Sequence, residues 1–347
     1  MKYTDSRPSI FILYTGGTIG MVENPHTGAL ENFGLDRFVK LFPELHRQPY
    51  HIDYAALDHP IDSSDMEPSG WVKIAKEIVR RYDMYDGFVV LHGTDTMAYT
   101  ASALSFMFEN LGKPVILTGS QLPIGKLRTD GKENLLTSVE IAAARNEEGA
   151  PMVPEVCIYF DSRLMRGNRT TKVNAEGFNA FRSYNYPSLA KAGISIRYEP
   201  RLIRRPDPDR PFTPHLSLDD RVMLLTLFPG IRREYVEAAL LQDGLRAVVI
   251  KTYGSGNAPQ KPWLRPLLAE LHRRGVVVVN NTQCSQGAVE MGRYETGLQL
   301  LQAGVVNGYD STIESSLTKL MLLLGHGFSQ QEVAAQMNCS IAGEITL

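Results

Sequence analysis

The sequence contains few cysteines, and their spacing gives no sign of a disulfide framework. Only 3 of its 347 residues are cysteine, namely Cys157, Cys284 and Cys339, and they form no C-x-x-C pair. A small, odd cysteine count is typical of a protein in a reducing compartment, although the count by itself does not exclude one disulfide bond. Cys284 has no neighbouring histidine or other base, which favours a packed thiol over a reactive one.

Long hydrophobic runs and an excess of charge are also missing. No segment approaches the roughly 20 apolar residues of a membrane span. The apolar run at residues 10–14 is too short for a signal-peptide core, and no small-residue cleavage site follows it. The 36 Lys and Arg nearly balance the 38 Asp and Glu, which gives a formal net charge of −2. We therefore predict a cytoplasmic protein that binds neither nucleic acid nor a membrane.

Several well-known site motifs do not occur. The three glycines of residues 16–20 lack the G-x-G-x-x-G spacing of dinucleotide sites. Residues 119–126 resemble a phosphate loop, but Leu127 stands where a hydroxyl would bind magnesium. There is no HExxH motif, no paired Cys/His cluster and no G-x-S-x-G elbow. His92, at a predicted strand end, is interpreted as a structural histidine rather than a metal ligand.

Short β-rich runs alternate with segments of helical periodicity along the whole chain. This alternation predicts an α/β fold with right-handed crossovers and mostly parallel sheets. Because 347 residues exceed the size at which one core stops growing, two domains are expected. Residues 200–214 carry five prolines and four arginines, which favours a solvated linker over a basic patch. The predicted division is an N-terminal domain of residues 1–200 with a larger sheet flanked by helices, a linker at 201–219, and a smaller C-terminal α/β domain at 220–347.

Polar side chains follow two of the predicted strands. The apolar run at residues 88–91 leads through Gly93 into Thr94 and Asp95, and residues 9–15 lead through a glycine-rich turn into Thr18. Small ligands bind at the carboxyl edge of open α/β sheets. A threonine nucleophile needs a proton acceptor nearby, and Lys172 is a further candidate partner for these groups. Taken singly, each of these threonines and aspartates is more often an ordinary helix cap.

Six segments together resemble the bacterial-type L-asparaginases and are most similar to the cytoplasmic type I enzymes. They are residues 14–20, 62–66, 91–97, 118–121, 166–172 and 253–259, of which 91–97 is the most specific. The resemblance covers nearly the whole chain. It implies hydrolysis of L-asparagine to L-aspartate and ammonia, without a metal or an organic cofactor.

The resemblance also implies a role for each catalytic group. Thr18 would be the nucleophile that attacks the side-chain amide of asparagine. Thr94, Asp95 and Lys172 would form a second polar set, in which Lys172 assists proton removal through Thr94. Backbone N–H groups at the turn of Gly93 and Thr94 are plausible oxyanion donors.

Substrate binding follows from the same resemblance. Asp95 would hold the α-ammonium group of asparagine. Ser63, with Asp62 and Ser64 beside it, would hold the α-carboxylate. A small zwitterion fixed at both ends presents its amide to the nucleophile in one orientation.

The sequence departs from the family pattern in the segment after the nucleophile. The family carries a tyrosine there that helps to activate the threonine, whereas Ala29 follows Gly28 in this chain. No tyrosine occurs between Tyr14 and Tyr50. The group that activates Thr18 therefore stays open.

The resemblance further implies a homodimer or homotetramer with a second, activating asparagine site. Thr171, Lys251 and Cys284 match the positions that line this site, but Lys251 stands where a relative has arginine. Lysine cannot reproduce a bidentate contact to a carboxylate. By the same resemblance, Asn257 reaches the site of a neighbouring subunit.

Two other functions fit parts of the same sequence. The amidase subunit of an archaeal-type tRNA-dependent amidotransferase shares both threonine signatures, but it carries an additional N-terminal domain, whereas the first strand here begins near residue 9. A non-catalytic amino-acid sensor is the binding-protein alternative. The presence of Thr18, Thr94, Asp95 and Lys172 together favours the hydrolase.

Overall fold

The computed structural model describes residues 7–23, 30–32, 42–292 and 295–347. The chain divides into two compact units, Met1–Leu216 and Ser217–Leu347. Each unit is built around its own β-sheet with helices packed on it. The predicted fold class is thereby confirmed.

The first unit contains fourteen strands and three helices among its described residues. The strands are β1 Ser9–Tyr14, β2 Met21–Glu23, β3 Leu30–Asn32, β4 His51–Ala56, β5 Gly87–Leu91, β6 Phe108–Glu109, β7 Val115–Thr118, β8 Val156–Phe160, β9 Arg163–Arg166, β10 Thr171–Lys172, β11 Phe181–Arg182, β12 Ala190–Ala192, β13 Ile196–Tyr198 and β14 Thr213–Pro214. The helices are α1 Pro68–Arg81, α2 Met97–Met107 and α3 Gly131–Ala143.

Eight of these strands form the main sheet, in the order β13-β12-β9-β8-β7-β5-β1-β4. The five strands from β8 to β4 are parallel, whereas β9, β12 and β13 add antiparallel pairs at the other edge. Strands β1, β5, β7 and β8 are buried along their whole length. This is why their sequences are continuous apolar runs rather than alternating patterns.

One face of the main sheet packs against α3. Ile12, Val89 and Ile116 of three neighbouring strands share a core cluster with Leu135 and Val139 of α3, and all five side chains are fully or almost fully buried. Burial of apolar side chains on this scale is the main force that holds α3 against the sheet.

The boundary between the units falls within residues 201–219, the predicted linker. Residues 201–216 belong to the first unit, and part of this segment is ordered against it. The ring of Phe212 stacks on Tyr82 with 4.0 Å between centroids, and β14 pairs with β6. The side-chain oxygen of Asn110 accepts a hydrogen bond from the backbone N–H of Asp207. These contacts give the proline-rich segment a fixed course on the first unit.

The second unit contains a four-stranded parallel sheet in the order β15-β16-β17-β18. Its strands are β15 Val222–Thr226, β16 Ala247–Thr252, β17 Val277–Thr282 and β18 Val306–Asn307. Its helices are α4 Arg233–Leu240, α5 Leu264–Arg273, α6 Glu295–Gln302, α7 Ile313–Gly325 and α8 Gln330–Met337.

Both faces of the second sheet are covered. Val248 and Ile250 of β16 share a core cluster with residues of α4 and α5. Ala247 and Val249, which point to the opposite face, pack with residues of α7 and α8. The alternation follows from the two-residue period of a strand.

No helix in the described ranges is long and apolar enough to cross a membrane. The three cysteines are all free: Cys157 is buried, and Cys284 and Cys339 are exposed.

Candidate active site

The strand ends of the main sheet bring the predicted site segments to one edge. Tyr14, at the end of β1, lies in register with Ala56 of β4 and with Leu91 of β5. Leu91 is in turn in register with Thr118 of β7. These strands are parallel, so the four loops that follow them all leave the carboxyl edge side by side.

The loops that follow β1 and β5 are in direct backbone contact. Thr15 uses both its backbone N–H and its side-chain hydroxyl to donate to the carbonyl of Leu91, each at 2.9 Å. Gly17 has a φ of +91°, and a Cβ added to it would lie 2.5 Å from the Cα of Gly93. Only glycine satisfies both the left-handed backbone and this close approach.

Thr18 follows directly and opens a short 3₁₀ turn, Thr18–Gly20. Its side chain is half-buried, whereas Ile19 and Gly20 behind it are buried. The Thr18 turn is therefore tied through Gly17 to the loop that carries Thr94.

The loop after β4 joins the same group. The backbone N–H of Ile61 donates to the carbonyl of Thr15 at 2.8 Å. Ser63 is only 3% exposed, and a Cβ added to Gly93 would lie 2.4 Å from its hydroxyl oxygen. Thr96 fixes Ser63 from the other side, because its hydroxyl donates to the Ser63 carbonyl at 2.7 Å.

Asp62 and Ser64 flank Ser63 and are exposed. The Asp62 carboxylate accepts from the backbone N–H of Ser64 at 3.1 Å and so caps the 3₁₀ turn Ser63–Asp65. The loop thus carries the two hydroxyls of Ser63 and Ser64, which can donate to an anionic ligand group.

Lys172 lies between Thr94 and Asp95. It belongs to the short hairpin of β10 and β11, and its ammonium group donates to the Thr94 hydroxyl at 2.9 Å and to the Asp95 carboxylate at 2.7 Å. The Lys172 side chain is 19% exposed and that of Asp95 63% exposed. The structure therefore brings these three predicted residues into one hydrogen-bonded set.

Gln121 belongs to this set, although it is absent from the residues predicted to act in the site. The Thr94 hydroxyl donates to the Gln121 side-chain oxygen at 3.0 Å, and the Gln121 amide nitrogen donates to the carbonyls of Gly177 and Ala175 at 3.2 and 3.4 Å. The signals for Gln121 in the sequence are its place three residues after the end of β7 and its membership of the segment 118–121, which resembles the family but does not assign it a role.

His92 directly precedes Gly93 in the loop that carries Thr94, and it is 1% exposed. Its Nδ1 lies 2.7 Å from the carbonyl of Gly93, and its Nε2 lies 2.8 Å from the hydroxyl of Thr100. With both ring nitrogens hydrogen-bonded, this side chain holds the Gly93 turn in place. Burial lowers the pKa of His92 from 6.5 to about 4.

This pKa predicts a pH dependence of stability. Between pH 6.5 and 4 the unfolded chain takes up a proton at His92 and the folded chain does not, so the free energy of unfolding falls as the pH falls. The loss should reach about 3 kcal/mol. We expect His92→Gln to flatten this part of the curve in urea denaturation, whereas His59→Gln, at an exposed position, should not. Equal curves for the two variants would contradict the prediction.

The residues proposed for a second site lie in both units. Thr171 belongs to the first unit, on β10. Lys251 and Cys284 belong to the second unit, where the carbonyl of Lys251 accepts from the side chain of Gln283 at 3.0 Å. Asn257, also in the second unit, accepts from the Thr296 hydroxyl at 2.8 Å.

Two further observations concern the predicted chemistry. Gly28 and Ala29, at the position of the missing tyrosine, lie outside the described residues. Within residues 7–23, 30–32, 42–292 and 295–347, no group of three or more His, Cys, Asp or Glu side chains is placed to hold a metal ion.

Comparison with known families matches two models that together span most of the chain. Residues 9–204 match the model described as "Asparaginase, N-terminal", and residues 221–337 match "Glutaminase/Asparaginase C-terminal domain". The L-asparaginase 1 of Escherichia coli strain K12 is 46% identical over 344 residues, which cover 98% of each chain. The crystal structure of L-asparaginase I from Vibrio cholerae matches with a TM-score of 0.90 and 44% identity, over 99% of this chain and 100% of that one.

A relative with another name is also similar. One of the subunits of the glutamyl-tRNA(Gln) amidotransferase of Pyrococcus abyssi is 35% identical over 98% of this chain, which covers 77% of that protein. Its sequence identity to this chain is therefore lower than that of the Escherichia coli enzyme, and part of its length has no counterpart in this chain.

Proposed function

The chain belongs to the asparaginase family, and on that premise we propose that it hydrolyses L-asparagine to L-aspartate and ammonia, with Thr18 as the nucleophile. The observation that supports this most strongly is the position of Lys172. Its ammonium group bridges Thr94 and Asp95 on the loop that contacts the Thr18 turn. Two relatives that match over nearly the full length of both chains are L-asparaginases.

Substrate binding follows from the charges at the sheet edge. The exposed carboxylate of Asp95 is an anionic partner for the α-ammonium group. Ser63, with Asp62 and Ser64 beside it, forms the other end of the site, where the serine hydroxyls hold the α-carboxylate. With both ends fixed, the side-chain amide of asparagine lies against Thr18.

The reaction then has two steps. The Thr18 hydroxyl oxygen attacks the amide carbonyl carbon while its proton passes through the Thr94 hydroxyl to Lys172, which acts here as the uncharged amine. Backbone N–H groups at Gly93 and Thr94 stabilise the oxyanion of the tetrahedral intermediate. When the C–N bond breaks, the leaving nitrogen takes this proton back from the Lys172–Thr94 pair and departs as ammonia, which leaves an aspartyl ester on Thr18. Water hydrolyses this ester, releases L-aspartate and restores the hydroxyl.

The assembly and the regulation are part of the same proposal. The protein acts in the cytoplasm, as a homodimer or homotetramer, and Asn257 extends towards the site of a neighbouring subunit. Thr171, Lys251 and Cys284 bind asparagine at a second, activating site. The three free cysteines suit a reducing compartment.

Ammonia release from purified protein tests this function. L-asparagine, L-glutamine and D-asparagine are assayed separately over a wide concentration range, without and with charged tRNA. We expect ammonia and L-aspartate from L-asparagine without tRNA. Release that needs charged tRNA would identify part of an amidotransferase, and binding without release would identify a sensor.

The same rate curve tests the second site. A sigmoidal dependence of the rate on asparagine concentration is expected if the second site activates the enzyme. A hyperbolic curve would contradict activation at Thr171, Lys251 and Cys284. It would leave the assignment of asparagine hydrolysis unchanged.

A further inference from the structure

The carboxylate of Asp130 makes an unusual set of contacts. Asp130 occupies the N-cap position of α3, but its side chain does not cap that helix, although aspartate is among the best N-cap residues. One carboxylate oxygen accepts from the backbone N–H of Gln121 at 3.1 Å, and the other accepts from the same N–H at 3.0 Å. The backbone N–H of Leu122 donates to the first of these oxygens, Oδ1, at 3.1 Å.

A second residue of α3 supports this arrangement. The Asn134 side-chain amide donates to the carbonyl of Gly119 at 3.0 Å and to the Asp130 carboxylate at 3.2 Å. Asn134 is 1% exposed. The turn that carries Gln121 is therefore tied to α3 on both sides of that residue.

The Gln121 side chain has little freedom in this position. Its nitrogen donates to the carbonyls of Ala175 and Gly177, which assigns its oxygen to the Thr94 side. A lysine ammonium group can only donate, and an amide oxygen can only accept. The Thr94 hydroxyl must therefore accept from Lys172 and point its own proton at Gln121.

We propose that Asp130 is a positioning residue for asparagine hydrolysis: it fixes Gln121, and Gln121 fixes the direction of the Thr94 hydroxyl. The inference rests on the proposed function, since it concerns the rate of that reaction. Asp130 has no place among the groups that hold the substrate, so its effect reaches the reaction through Gln121.

This arrangement predicts which kinetic constant responds. Without Gln121 the proton of the Thr94 hydroxyl loses its acceptor, so the hydroxyl can rotate and is no longer held in one orientation for proton transfer from Thr18. The groups that hold the α-ammonium and the α-carboxylate stay in place. The loss should therefore appear in kcat and leave KM nearly unchanged.

The test is a cycle of four proteins: wild type, Asp130→Asn, Gln121→Met and the double variant. We expect Gln121→Met to lower kcat about tenfold, as for loss of one orienting hydrogen bond. Asp130→Asn should lower kcat by about threefold to tenfold, and the double variant should match Gln121→Met within about twofold. KM should stay within about threefold of the wild-type value in all of them.

Thr129→Val is the matched control. The Thr129 hydroxyl closes the same loop by donating to the carbonyl of Leu122 at 3.1 Å, but Thr129 makes no hydrogen bond to Gln121 in the described structure. Its loss should lower the melting temperature and leave kcat unchanged. If Asp130→Asn does not fold, as judged by circular dichroism, Asp130→Ser takes its place in the cycle.

Three results would overturn the inference while the proposed function stands. The first is a folded Asp130 variant with the wild-type kcat. The second is a double variant whose kcat is lowered by the product of the two single effects. The third is a Thr129→Val protein whose kcat is lowered as much as that of Asp130→Asn. If the wild-type protein releases no ammonia from asparagine, the proposed function itself is wrong and the inference falls with it.

Discussion

Thr18→Ala is expected to lower kcat for asparagine hydrolysis by on the order of 10³-fold or more. The substitution removes the only atom of this side chain that can form an ester with the substrate. Because Thr18 is half-buried in a short turn, the change should alter the free energy of unfolding by no more than about 1 kcal/mol. Steady-state ammonia release and urea denaturation measure the two effects separately.

Thr18→Ser is the control for this substitution. Serine keeps the hydroxyl and loses only the methyl group, so we expect it to retain far more activity than alanine. A folded Thr18→Ala protein with more than about a tenth of wild-type kcat would show that another group is the nucleophile.

Thr94→Val should give the second largest effect, a loss in kcat of about 10²-fold to 10³-fold. The Thr94 hydroxyl is the atom that joins Lys172 to Gln121. Valine has nearly the same shape but can neither accept from Lys172 nor donate to Gln121. The substitution leaves the contact between Lys172 and Asp95 intact, so the substrate ammonium partner is kept and KM should change little.

Thr96→Val provides the comparison, because Thr96 lies two residues further along the same loop. Its hydroxyl donates to the Ser63 carbonyl, so its loss should loosen the loop that holds the α-carboxylate and raise KM. If Thr94→Val raised KM and Thr96→Val lowered kcat, the proposed roles of the two loops would be exchanged.

Much of the fold follows from sequence patterns. The buried strands β1, β5, β7 and β8 carry apolar runs that predict them directly, and parallel strands place their carboxyl ends at one edge. This is enough to predict that Thr18 and Thr94 lie at the same edge of the sheet, whereas the direct pairing of β1 with β5 is seen only in the structure. The contact between Gly17 and Gly93 gives the physical reason for the glycine-rich turn.

The partners of Thr94 could not be derived from local patterns. Lys172 is 78 residues away along the chain; the sequence offers it as one candidate partner, but only the resemblance to known enzymes pairs it with Thr94. Gln121 lies in the segment 118–121 that resembles the family, and Asp130 lies in none of these segments; the roles of both depend on hydrogen bonds between separate loops. Spacing along the sequence does not encode contacts of this kind.

The proline-rich segment shows a different limit. The five prolines and four arginines of residues 200–214 favour an extended, solvated linker but do not identify the surface that the segment contacts. In the structure, Phe212 stacks on Tyr82, and β14 pairs with β6. Composition predicts the conformation of such a segment, while its contacts depend on the surface beneath it.

The most direct test of Thr18 as the nucleophile is to trap the ester. Protein mixed with L-asparagine is quenched in acid within milliseconds, digested and analysed by mass spectrometry. We predict an added aspartyl group, equal to asparagine less ammonia, on the peptide that contains Thr18, and none in Thr18→Ala. An adduct on Thr94, or a burst of ammonia with no adduct on any peptide, would contradict the assignment.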